Sequence, residues 1–280
     1  MTTIGLLNPG EMGSMVGAAV RAGGARVVWA GEGRSAATRK RASDAGLEDA
    51  GSVAAVVRAS EVILSVCPPH AALDLATQVA AQRFAGIYVD GNAVSPDTAR
   101  EIGGIVEKGG ATFVDGGIIG PPPVKPGSTR FYVSGAGAER ISRLLTAGAL
   151  DAPVVPGGPG AASALKMAYA SWTKGSSALL LAVCALASAE GVEDSLLREW
   201  KISQADLPAR SEGAAKSNAK KAWRFIGEME EIAATYAAAG LPDGFHQAAA
   251  EIYRRMEGYK DGPTPSLAEV LRALTPRRPA

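Results

Sequence analysis

Cysteine, aromatic residues, net charge and long apolar runs are all in short supply in this 280-residue chain. Its two cysteines, Cys67 and Cys184, lie in apolar surroundings and form no metal-ligand spacing, so no metal site is expected and a reduced cytoplasmic compartment is the simplest fit. Aromatics make up 5% of the residues, too few for a platform on which bases would stack. A formal net charge of +1 provides no field for nucleic acid or an anionic membrane. No basic leader precedes the first apolar run, so no signal peptide is expected. The most apolar helical stretch, 178–189, is hemmed in by Lys174 and Glu190 and is shorter than the roughly 20 residues that cross a bilayer. It is read as a buried helix.

What remains is an ordinary globular composition, 47% hydrophobic and 20% charged, long enough for two domains. The chain opens with an apolar run, Ile4 to Leu7, followed by Asn8-Pro9-Gly10-Glu11-Met12-Gly13 and a segment to Ala22 with helix-like apolar spacing. Strand, glycine-rich turn and helix in that order let a diphosphate approach the backbone and rest on the helix N-terminus. Asn8 stands where the usual G-x-G-x-x-G pattern has its first glycine. Asparagine tolerates left-handed dihedrals better than other side-chain-bearing residues, so the turn is expected to survive the exchange.

A second strand is expected over 25–30, followed by Gly31-Glu32-Gly33-Arg34-Ser35 and a helix carrying Thr38, Arg39 and Arg41. At the end of this strand an acid favours the 2′-hydroxyl of NAD, and arginine with hydroxyl residues favours the 2′-phosphate of NADP. Glu32 argues for NAD; Arg34, Ser35, Thr38 and Arg39, one helical turn apart in pairs, argue for one basic face and for NADP. NADP is favoured.

Further strand–helix alternation follows, with strands at 61–67, 86–90, 111–115, 130–135 and a short one at 154–156. The repetition predicts an α/β fold with a doubly wound parallel sheet of Rossmann type. The 61–67 strand runs into Cys67-Pro68-Pro69-His70, where proline ends pairing and a ligand-binding loop begins. His70 reads as a cofactor-edge or solvent residue. Gly116 to Pro123 reads as a glycine- and proline-rich loop. From 161 onward Ala-rich helical pattern replaces strands. The expected division is a dinucleotide-binding domain over 1–159 and an all-helical substrate and dimerisation domain over 160–280. The long helix at about 161–190 is apolar on nearly all sides, which predicts cover by other helices or by a second subunit. Lys216, Lys220, Lys221 and Arg224 read as a solvated face, and Pro276-Arg277-Arg278-Pro279 as a disordered tail.

Along nearly its whole length the chain resembles the β-hydroxyacid dehydrogenases, a superfamily that includes 3-hydroxyisobutyrate dehydrogenase, the 6-phosphogluconate dehydrogenases and the imine reductases. The resemblance is carried by Gly5-Leu-Leu-Asn-Pro-Gly-Glu-Met-Gly13, by Asp90-Gly-Asn-Ala-Val-Ser-Pro96, by Asp115-Gly-Gly-Ile-Ile-Gly120, and by Gly160 with Lys166 in Ser163-Ala-Leu-Lys-Met-Ala-Tyr169. Phe225 to Ile232 and Gly244 to Tyr253 resemble a branch whose C-terminal helical domain has no known function.

The resemblance implies hydride transfer between NADP and a small hydroxy/keto or amine/imine substrate in a cleft between the domains, with Lys166 as general acid/base. It implies cofactor contacts at Asn8, Pro9, Gly10, Glu11, Met12, Gly13, Arg34, Ser35, Arg39, Cys67, Pro68 and Asn92. Substrate contacts are implied at Asn92, Ile119, Gly120, Tyr169, Ala170, Thr173 and Glu228, with no metal and with a homodimeric assembly. Tyr169, Ala170 and Thr173 follow Lys166 at helical spacing and are expected to line one pocket. Three positions depart from the pattern: Ile119 replaces a loop serine, Ala170 an asparagine, and Glu228 a lysine. A small hydroxy acid fits such a site poorly. Two alternatives therefore stay open, an NADP(H)-binding protein without catalysis and a 6-phosphogluconate dehydrogenase-like sugar acid dehydrogenase.

Overall fold

Side chains in the first strand, β1 (Thr3–Leu7), alternate between two buried layers, as the period-2 geometry of a strand requires. In the computed structural model, which describes residues 1–275, Ile4 and Leu6 pack with Val16 and Val20 of helix α1 (Glu11–Ala22) and Ile141 and Leu145 of α6 (Ala138–Leu145). On the other face Leu7 packs with Val56 of α3 (Val53–Ala59), Leu75 of α4 (Ala72–Ala81) and Ile102 of α5 (Pro96–Lys108). Each such fully buried aliphatic side chain contributes about 1.5–3 kcal/mol relative to exposure.

The sheet has seven strands in the order β3-β2-β1-β4-β5-β6-β7. Besides β1 these are β2 (Arg26–Trp29), β3 (Glu48–Asp49), β4 (Val62–Ser65), β5 (Ile87–Asp90), β6 (Thr112–Ile119) and β7 (Arg130–Ser134). Six run parallel, and the chain reverses direction across the sheet between β1 and β4, which opens a crevice at the carboxyl ends of those strands. The doubly wound α/β fold expected of the sequence is thus the fold observed.

The structure differs from the sequence expectations in four ways. First, β7 pairs antiparallel with β6, so the sheet is mixed at one edge. Second, Gly116, Gly117, Ile118 and Ile119 belong to β6 rather than to a loop. These glycines answer to crowding. A Cβ on Gly116 would lie 2.5 Å from the Phe131 ring and 2.6 Å from the Asp90 carbonyl, and one on Gly117 would lie 2.7 Å from the Ala162 carbonyl. Third, 154–156 forms no strand; Val154 makes one isolated bridge to Val133. Fourth, the two-residue β3 is too short for any hydrophobic pattern to announce.

The chain divides into two compact units, Met1–Met167 and Ala168–Ala280. The dividing point lies inside α7 (Ala161–Ala189), so the first turns of this helix count with the sheet. Within the second unit lie the remainder of α7 and α8 (Glu193–Ser203), α9 (Leu207–Asn218), α10 (Ala222–Ala238), α11 (Gly244–Arg254) and α12 (Leu267–Leu274). Leu207-Pro208 opens α9, where a proline at the first turn removes no helical hydrogen bond. Phe225, Met229 and Ile232 of α10 and Ala249, Ala250 and Tyr253 of α11 are buried, and the Phe225 and Tyr253 rings meet edge to face at 5.2 Å. Ser266 and Glu269 form a capping box at the start of α12.

Within the single chain the long helix is not covered on all sides. Ala170, Ala178, Leu181 and Cys184 are buried, whereas Trp172, Leu179 and Leu186 are 70%, 58% and 63% exposed. By length and composition α7 is apolar enough to cross a membrane. It is nevertheless tied into the helical unit through Lys174, which ion-pairs with Glu228 of α10 and whose carbonyl accepts from the Tyr253 hydroxyl at 2.8 Å. The tail 276–279, expected to be disordered, lies outside the described residues.

Candidate active site

At the crevice, β1 ends in a turn whose conformation follows from its residues. Asn8 adopts φ +69°, the left-handed region that asparagine tolerates. Its carbonyl accepts from Gly10 N–H at 2.8 Å. Gly13 lies directly against that carbonyl: a Cβ there would sit 2.6 Å from the Asn8 oxygen. Gly10 caps α1 with no side-chain acceptor, and no atom lies within 4 Å of where its Cβ would be. No side chain caps the start of α1, at the positive end of the helix dipole. Those are the requirements of a diphosphate seat.

The Asn8 side chain also joins three strand ends. Its amide donates to the Val66 carbonyl at 3.4 Å, and its oxygen accepts from Arg34 at 3.2 Å. Arg34 follows β2 and, with Ala30, Glu32, Val53, Leu75 and Gln78, lines a cleft of about 350 Å³. The basic face expected over 34–39 is divided in the structure. The Ser35 hydroxyl caps helix α2 (Ala36–Asp44) by accepting from Thr38 N–H at 3.3 Å. Arg39 turns away to Asp49, at 3.2 Å, and to the Gly31 carbonyl. Arg34 and Glu32 thus stand together at the cleft, while Arg39 is held by β3.

At the ends of β4 and β5, Asn92 is 2% exposed and held by three hydrogen bonds. Its oxygen accepts from Cys67 N–H at 2.6 Å, its amide donates to the Ser65 hydroxyl at 3.1 Å, and its own N–H donates to Asp90 at 2.7 Å. It fastens two loops at the crevice. Burial, with Asp90 nearby, pushes the Cys67 thiol up to about 12, so it stays protonated and unreactive. Pro68 precedes a short 3-10 turn, Pro69–Ala71, and His70 within it is exposed.

Asp115, which in the sequence is only part of a motif, builds the next part of the site. Fully buried on β6, its carboxylate accepts from Gly160 N–H and Ser163 N–H, each at 3.0 Å, and from the hydroxyls of Ser134 and Ser163. An anion at the N-terminus of α7 satisfies first-turn N–H groups and complements the dipole. No local pattern announces this contact, because the partners lie 45 and 48 residues apart in the chain. Held this way, α7 crosses β6 over Gly117, and the half-buried Lys166 donates from Nζ to the Ile118 carbonyl at 2.6 Å. Ile119 is buried, and Gly120 turns the chain out of the strand at φ +119°.

Further along α7, Tyr169 is 46% exposed and Ala170 is 1% exposed. Thr173 donates from its hydroxyl to the Tyr169 carbonyl at 3.2 Å. Glu228 is nearly buried and its charge is matched by Lys174, which also lies 4.5 Å from the Phe225 ring. Among the described residues no cluster of ligating side chains could hold a metal ion.

Residues 3–147 match the family described as the NAD binding domain of 6-phosphogluconate dehydrogenase, and residues 187–256 match a domain of unknown function. The chain is 33% identical over 166 residues to an uncharacterized 28.5 kDa protein of Methanothermus fervidus, a match spanning 59% of this chain and 63% of that protein. It is 30% identical to a conserved protein of unknown function whose structure shows similarity with 3-hydroxyacid dehydrogenases, with a TM-score of 0.67 over 91% of this chain and 97% of that one. The fold is also that of 3-hydroxyisobutyrate dehydrogenase from Mycobacterium tuberculosis, 20% identical, with a TM-score of 0.71 over 98% of this chain and 99% of that one. Turn, crevice and sequence match agree: the chain belongs to the family of the NAD binding domain of 6-phosphogluconate dehydrogenase, followed by a helical domain of unknown function.

Proposed function

We propose that the protein is an NADP-dependent oxidoreductase acting on a small hydroxy/keto or amine/imine compound, with Lys166 as the general acid/base. The observation that carries this reading is the seat of Lys166. Asp115 holds the start of α7, Gly117 lets the helix reach β6, and Nζ is fixed on the Ile118 carbonyl. A cofactor bound at the Asn8–Gly13 turn supplies or accepts the hydride. The lysine's part is to exchange a proton with the substrate's oxygen or nitrogen, and its hydrogen bond to a strand carbonyl orients the ammonium for that exchange.

Arg34 at the end of β2 supports the 2′-phosphate of NADP as the preferred anion. The apolar Ile119 and Ala170 support a substrate with more carbon surface than a small hydroxy acid. The exposed apolar positions Tyr169, Trp172, Leu179 and Leu186 of α7 support a homodimer.

The direct test is fluorescence titration with NADPH and NADH, followed by a turnover screen of hydroxy acids, ketones, amines and imines. Tighter binding of NADPH and turnover of at least one class are expected. Tight binding without turnover of any class would sink the enzymatic assignment in favour of a cofactor-binding protein.

A further inference from the structure

Asp49 ends the two-residue strand β3, next to the end of β2, and its carboxylate organises the turn that follows β2. Oδ1 accepts from Gly31 N–H at 3.0 Å and from Gly51 N–H at 2.8 Å. Oδ2 takes the Arg39 guanidinium at 3.2 Å, and the same guanidinium donates to the Gly31 carbonyl. The seat is tight. A Cβ on Gly31 would lie 2.1 Å from Oδ2, so residue 31 must be glycine for Asp49 to occupy it. Of Arg34 and Arg39, which follow β2, Arg34 lines the cleft there beside Glu32 and Arg39 does not. The charge of Arg39 is compensated by an acid from the neighbouring strand.

Resting on the reading of this crevice as a dinucleotide site, we propose that Asp49 sets the preference between 2′-phosphorylated and unphosphorylated cofactors by holding Arg39 away from the cleft and neutralising its charge. It is a positioning residue, acting through Arg39 and the Gly31 turn without touching the cofactor. In the native chain a phosphate at the cleft meets Arg34 beside Glu32, with the charge of Arg39 matched by Asp49. With the acid removed it would feel the charge of Arg39 as well; with Arg39 removed it would face an unmatched carboxylate as well as Arg34. The pair is partly exposed, with side-chain accessibilities of 50% and 41%, so solvent screens the effect and a change of a few-fold is expected for each variant.

The experiment is a cycle of Asp49→Asn, Arg39→Ala and the double variant, with dissociation constants for NADPH and NADH measured by fluorescence titration at low and high salt. Asp49→Asn retains an oxygen for Gly31 and Gly51 and so preserves the turn. It is expected to raise the preference for NADPH over NADH by about three- to fivefold at low salt. Arg39→Ala is expected to move the ratio by a similar factor toward NADH. The double variant should return close to the native ratio, and added salt should shrink both shifts. Equal loss of both cofactors in Asp49→Asn, with the ratio unmoved, would overturn the proposal and leave Asp49 a turn residue only. Failure of the unaltered protein to bind either cofactor would overturn the dinucleotide reading itself, and this proposal with it.

Discussion

Two glycine-rich stretches approach the crevice, and they use glycine for different ends. In Asn8-Pro9-Gly10-Glu11-Met12-Gly13 the glycines shape a turn and leave open space before a helix N-terminus. In Gly116-Gly117-Ile118-Ile119 they sit in a strand and admit the Phe131 ring and the backbone of α7. The first stretch serves a ligand approaching the backbone, the second a helix approaching it. The same composition thus produces opposite local structure, because glycine permits close approach without specifying what approaches.

Substitutions should separate the two stretches by what they damage. The largest effect is expected at the residue that the second stretch seats. Lys166→Ala should lower kcat by about a hundred- to ten-thousand-fold and leave the NADPH dissociation constant nearly unchanged; unaltered turnover would remove Lys166 from the mechanism. Gly117→Ala places a methyl group 2.7 Å from the Ala162 carbonyl and 2.9 Å from the Lys166 Cβ. It should cost about 1–3 kcal/mol of stability and lower kcat much more than cofactor affinity, in denaturant titration and steady-state kinetics respectively. Gly13→Ala meets the Asn8 carbonyl at 2.6 Å and should lower stability by a similar about 1–3 kcal/mol. Its kinetic effect should be the reverse, weaker NADPH binding with kcat at saturation largely kept. Identical kinetic phenotypes for the two glycine variants would break the distinction.

A smaller effect is expected at Asn8. Replacement by alanine at φ +69° should cost about 1–2 kcal/mol and loosen Arg34, whereas Asn8→Gly should keep the backbone and lose only the link to Arg34. Equal melting temperatures for the two variants would contradict the role given to the left-handed turn. The mildest prediction lies outside both stretches, in the helical unit. His246 is 6% exposed beside Tyr236, and its burial lowers its pKa. The unfolded chain then takes up the proton first, so its contribution to stability is intact above the usual histidine range and is lost as pH falls through and below it. Denaturation midpoints measured across that range should fall less in His246→Phe than in the native protein.

Much of the fold was readable because its signals are local. Apolar runs of four or five residues separated by helical periods announce a parallel α/β sheet, and six of the seven strands are parallel. Ser35, Ser52, Ser95 and Ser266 cap the helices that follow them, in line with the preference of hydroxyl residues for that position. The misreadings share a cause. Gly116 to Ile119 looked like a loop because the ring and helix that crowd it come from elsewhere in the chain. The pair Arg34 and Arg39 looked like one basic face because the strand bearing Asp49 carries no hydrophobic pattern.

The sequence by itself determined the strand–turn–helix that opens the chain, the succession of strands that makes the crevice, and the change to helices after residue 160. Each follows from backbone preferences and periodicity, which act over a few residues. Tertiary structure alone decided that Asp115 holds the start of α7, that Gly117 brings Lys166 onto the Ile118 carbonyl, that Asp49 takes Arg39, and that Glu228 is matched by Lys174. These are contacts between buried or crowded polar groups separated by 10 to 54 residues. Their energies depend on distance and exposure, which exist only once the chain is folded.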